Sequence, residues 1–204
     1  MSDSTRLRDK AIALAKRDVA NARHIAESIP EPWFRTQALA VVAFHTADNR
    51  EFSRILKESY EASDSCSDPF QKVGVAAWPL SAQVNRGFVS DIQARVSELI
   101  VKSRTIPNDS SRSEAMFHVL QAVFPLGPDV FDPILGELSD AHKSRAGLSW
   151  RTCRNLRDTI LFLGPKYPAI AKRVLNEMVE GPYRRQAEQQ LRSDHHSSPR
   201  NFME

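Results

Sequence analysis

Apolar side chains recur along most of the chain at intervals of three and four residues, the spacing of one face of an α-helix. Val19, Ala22, Ile25, Ala26 and Ile29 form one such stripe. Ile92, Val96, Leu99 and Ile100 form a second, and Ile170, Val174, Leu175 and Met178 a third. A first helix begins within residues 5–17, and Asp18 to Ser28 continue helically. Pro30 and Pro32 then end the run, because a proline inside a helix lacks the needed N–H and clashes with the preceding turn. Trp78 before Pro79 predicts a kink inside a later helix.

The corner at Pro30–Pro32 returns. Its skeleton is an acidic or polar residue, a proline, an aromatic shortly after, and then a basic residue: Glu31-Pro32-Trp33-Phe34-Arg35, then Asp68-Pro69-Phe70-Gln71-Lys72. Asp before Pro starts a helix well, since the carboxylate accepts from free backbone N–H groups and proline's fixed φ suits the first helical position. Asn108 to Arg112 and Glu180 to Arg184 are further versions, and Gly147 to Arg151 a degenerate one. The basic residues Arg35, Lys72, Arg112, Arg151 and Arg184 are separated by 37, 40, 39 and 33 positions. Six residues before most of them stands an apolar or small side chain: Ile29, Cys66, Ile106 or Met178. Between the corners, Phe52, Ile55 and Leu56, then Phe131, Ile134 and Leu135, then Tyr167, Ile170 and Ala171 open the alternate helices. Leu126-Gly127-Pro128 and Leu163-Gly164-Pro165 read as helix ends capped by a left-handed glycine.

A period near 37 with two helices per unit marks an α-solenoid, in which each pair leaves an apolar face that a neighbouring pair must cover. Asp68-Pro69-x-x-Lys72 and Glu31-Pro32-x-x-Arg35-x-x-Ala38-Leu39 resemble the D-P-x-V-R-x-x-A-L core of HEAT-like repeats, over residues 20–190. The resemblance implies an all-α, right-handed α–α superhelix of the HEAT or tetratricopeptide type, with about five two-helix units and a concave binding surface. It predicts a single solenoid domain over residues 1–192 and a polar tail without fixed structure over 193–204.

Composition adds limits rather than a function. Seven glycines in 204 residues are few for a fold that needs many tight β-turns. No apolar run approaches the roughly 18 residues of a membrane span, and the N-terminus lacks a signal-peptide apolar region, so no membrane partner is expected. Cys66 and Cys153 are isolated and form no metal spacing, which points to a reducing cytoplasm. Net charge is +3 overall, but Lys143 to Arg192 carry eleven basic and four acidic side chains, a local excess of +7.

That excess frames the candidate chemistry. Arg151, Arg154 and Arg157 recur every three residues and predict a basic stripe beside Trp150, with Arg112 and Arg184 extending it on other units. A one-sided positive face suits nucleic acid, here through residues 143–192, or an acidic protein. The competing expectation is structural: Arg35, Lys72 and Arg184 pair with Glu31, Asp68 and Glu180 four residues earlier and tie the units together. Phe34, Phe70 and Tyr183 at the helix entries read the same way, as packing between units.

No catalytic constellation, metal site or cofactor motif is found: the phosphate-loop, dinucleotide, zincin and nucleophile-elbow patterns are all missing. His24 and Glu27 lack a second metal ligand, and His195-His196 reads as a solvated pair. HEAT-like folds include DNA glycosylases for alkylated bases, and for such an activity Asp158 near Trp150, Arg151 and Arg154 is the candidate acid. The sequence therefore predicts a non-enzymatic module holding a protein partner on its concave face, with nucleic-acid binding as the alternative.

Overall fold

The computed structural model describes residues 3–143, 149–193 and 197–203, and among these it is all-α, with twelve α-helices, one short 3-10 turn and no strand. The chain forms two compact units, residues 1–95 with 201–204, and residues 96–200. The division falls inside α7 (Ile92–Ser103).

The first unit holds α1 (Asp3–Ala15), α2 (Val19–Glu27), α3 (Pro32–His45), α4 (Asn49–Asp64), α5 (Pro69–Val75) and α6 (Ala77–Asn85). Half of these starts are set by side-chain caps. The carboxylates of Asp18, Asp48 and Asp68 accept from the backbone N–H of Asn21, Glu51 and Gln71, each contact stabilising its helix by about 1 kcal/mol. The helix predicted to kink before Pro79 is interrupted at Ala76, one turn earlier. Proline has no N–H to offer the carbonyl of Val75 and its ring crowds that group.

At the centre of this unit lies α3, packed by α1, α2, α4 and α6. Every residue from Thr36 to Ala43 is buried, as expected of a helix that is apolar and small all round. Residues 202–203 belong to the same unit. The tail, expected to be polar and unfixed, ends on two buried side chains, and the Phe202 ring meets Trp78 edge-on at 5.5 Å. Apolar burial of an aromatic outweighs the polar composition of the segment before it.

The second unit holds the rest of α7, then α8 (Asp109–Val123), α9 (Pro128–Lys143), α10 (Trp150–Leu163), α11 (Pro168–Glu177) and α12 (Pro182–Arg192). Here α8 packs on α9 and α10, and α10 packs on α11 and α12. Phe124, Phe131, Phe162 and Tyr167 join them through ring contacts of 5.0–5.8 Å. Gly127 has the expected positive φ of 95°, but Gly164 is right-handed at φ −46° and caps its helix from an ordinary conformation.

Three of the corner residues keep one offset from a helix cap. Arg35, Lys72 and Arg112 each stand four residues after a helix cap, at Glu31, Asp68 and Asn108. Ile29, Cys66, Ile106 and Met178 are all buried. The fourth corner is out of register: with Ser149 as the cap, Cys153 occupies the equivalent position and Arg151 stands two residues early. Gly147 and Leu148 of that corner, Arg145, and His195-His196 lie outside the described residues.

Candidate functional site

Four of the six candidate residues, Trp150, Arg151, Arg154 and Arg157, lie on α10. Ser149 caps the helix, accepting from the N–H of Thr152, and its hydroxyl meets that of Ser110 on α8 at 2.8 Å. This fixes Trp150 at the first helical position, where it remains 55% exposed, the most exposed aromatic among the described residues. The guanidinium of Arg154 lies 5.1 Å from the Trp150 ring and that of Arg151 lies 5.5 Å from it. Both arrangements are within cation–π range, worth about 0.5–1 kcal/mol at an exposed site.

The basic stripe is largely neutralised on the spot. Arg154 donates to Glu114 at 2.8 Å, and Asn155 donates to the same carboxylate oxygen at 3.1 Å. Arg157 holds Asp158 through two N–H groups, donates to Gln186 at 2.9 Å, and lies over the Tyr183 ring. Arg112 pairs with Asp109 at 2.6 Å. Of the five candidate arginines, only Arg151 is left with no carboxylate partner among the described residues. Asp158, the acid considered for base excision, is clamped by Arg157 and stands eight residues from Trp150. That separation is about 12 Å along the helix.

Arg184 has a different task. It donates to the carbonyl of Met178 at 2.8 Å and pairs with Glu180 and Glu188 at 3.2 Å each. Arg35 likewise donates to the carbonyl of Ile29 at 3.3 Å. In both cases a guanidinium reaches back six residues to the end of the preceding helix, where free carbonyls and the helix dipole favour a cation. Of the three pairs expected between corner acids and bases, Glu180–Arg184 forms. Asp68 instead caps α5 through the Gln71 N–H, and Arg35 turns to its carbonyl.

Sequence reasoning missed the buried polar groups nearby. His142 Nε2 accepts from the N–H of Val179 at 3.0 Å, which leaves the imidazole proton on Nδ1, 3.9 Å from Cys153 Sγ. Burial, reinforced by Lys143, pushes the His142 pKa down, and burial pushes the Cys153 thiol up. A histidine with its acceptor nitrogen occupied cannot take the thiol proton, so the pair works as a clasp rather than a nucleophile. His118 is also pushed down by burial, against the opposing pull of Glu114. No sequence motif announces these contacts, because their partners are separated by 11 to 37 positions.

No cluster of three or more His, Cys, Asp or Glu side chains suited to a metal occurs among the described residues. None of their helices is long and apolar enough to cross a membrane. The class defined by these features is an all-α protein of packed helices. No family model, curated protein or solved structure matches the chain.

Proposed function

We propose that the chain is a non-enzymatic interaction module that holds a protein partner on the surface presenting Trp150. In this reading the helices form a right-handed superhelix of about five two-helix units, as in HEAT-like solenoids. The alternation of packing within each unit and the shared reach of Arg35 and Arg184 to a carbonyl six residues back support it. A cytoplasmic setting goes with this reading, supported by two free cysteines.

One observation carries the functional part: a tryptophan more than half exposed at a helix entry, with two guanidinium groups within cation–π distance of its ring. Trp and Arg dominate the energetic centres of protein interfaces, where a rigid aromatic fills a partner's pocket. The alternative, nucleic-acid binding through residues 143–192, is disfavoured because Arg112, Arg154, Arg157 and Arg184 are already engaged by carboxylates. At the entry of α10 Arg151 alone could neutralise a phosphate, and through that site log affinity would fall against log salt with a slope of only about −1.

The test is affinity capture from the source cell with the full chain, comparing wild type, W150A and R151A by quantitative mass spectrometry. A Trp anchor of about 2 kcal/mol predicts a partner set depleted about 30-fold on W150A. Equal recovery on wild type and W150A sinks the Trp150 reading. Recovery of nucleic acid with a salt slope steeper than about −2 favours the alternative.

A further inference from the structure

We propose that the open groove between α11 and α12 is a docking site for an acidic amphipathic helix of a partner protein. It goes beyond the Trp150 reading and does not depend on it. Both helices pack on α10, and between them opens a cavity of about 690 Å³. Its floor is apolar, built from Pro165, Pro168, Ala171 and Leu175 on one side and Leu191 on the other. Among the described residues no helix covers α12 in the way that α9 covers α8 and α11 covers α10.

The rim decides the occupant. Lys172 and Arg192 line the groove, are exposed, and make no ion pair among the described residues. Glu188, the acid on the same wall, is engaged by Arg184 at 3.2 Å. The groove therefore presents an apolar floor under uncompensated positive charge. A helix with leucines at i, i+3, i+4 and i+7 fits such a floor, and glutamates on its flanks meet the two cations. The walls are helices of ten and eleven residues, about 15 Å long, enough to receive roughly three helical turns. A second copy of this chain, seated symmetrically, would bring Lys172 and Arg192 against the same two cations, an arrangement that repels.

The test uses the full-length chain and two fluorescein-labelled synthetic helical peptides of about four turns. They share one leucine face and carry either glutamate or lysine elsewhere. Fluorescence polarisation at low salt should show the glutamate peptide binding at least about tenfold tighter than the lysine peptide, the size expected of two rim ion pairs. K172E/R192E should invert that preference, whereas K10E/R50E, with the same change in net charge, should keep it. L191D should abolish binding, and L175A should weaken it, each with an unchanged circular dichroism spectrum. The proposal is overturned if neither peptide binds, if both bind alike, or if K172E/R192E keeps the original preference. Concentration-dependent dimerisation that L191D removes would assign the groove to a second copy instead, and that also overturns it.

Discussion

Replacing Arg184 by Ala isolates the structural role of the corner cations. The side chain is one-fifth exposed and donates to the Met178 carbonyl at 2.8 Å, at the end of α11. A hydrogen bond from a charged group to a half-buried acceptor contributes about 1.5–3 kcal/mol. The partly buried Glu188 adds about 0–1 kcal/mol, and the mostly exposed Glu180 less. We expect R184A to lower stability by about 2–3 kcal/mol, read as an earlier urea midpoint at constant slope. The corresponding fall in Tm is about 5–10 °C for a chain of this size. R184K should recover about half, because an ammonium cannot bridge the carbonyl and both carboxylates as the planar fork does. The comparison is R151A, whose side chain is exposed and lies over the Trp150 ring, and which should stay within about 0.5 kcal/mol of wild type. If R184A is as stable as wild type, or R151A costs as much as R184A, the division between architectural and surface arginines is wrong.

Two glycines should respond in opposite directions. G127A forces a side chain into φ 95° and should destabilise by about 1 kcal/mol or more, whereas G136A, inside α9 with open space around it, should stabilise by about 0.5–1 kcal/mol; thermal melts giving the same sign for both would contradict the backbone argument. Acid should also weaken the fold through its histidines. His45, His118 and His142 are each held below the ordinary range, chiefly by burial, so the folded chain binds fewer protons than the unfolded chain. Their contribution is fully present above the unfolded value of about 6.5 and drains as pH falls below it. H142Q, which keeps an acceptor for the Val179 N–H, should show a smaller loss of urea stability between neutral and mildly acidic pH than wild type, and an identical loss would refute its share.

The helices were legible because their signals are local. Periodic apolar residues, Asp68 before Pro69 as a cap, and Pro79 as a breaker act within one or two turns. The fourth corner misled because Ser149, without acid or proline, caps the helix two residues later than the alignment on Arg151 supposed. Gly164 misled because a Leu-Gly-Pro triplet is compatible with either sign of φ, and only packing decides between them. The site was half legible. Trp150 and its flanking arginines are sequence neighbours, so their cluster could be anticipated. Glu114, which neutralises Arg154 from forty residues away, could not, and together with Asp158 on Arg157 it leaves Arg151 as the stripe's one cation without a carboxylate partner among the described residues.

The burial of α3 on every side carries an evolutionary consequence. Ala38, Ala40 and Ala43 have no exposed surface, so any larger side chain must displace α1, α2, α4 or α6. Overpacking of this kind costs about 1–3 kcal/mol, a large part of the stability of most folded chains. Sequence drift in α3 is therefore tolerated when a facing residue shrinks at the same time. Descendants of this chain would diverge freely on their outer faces, while the alanine ladder and its neighbours change together as one inherited unit.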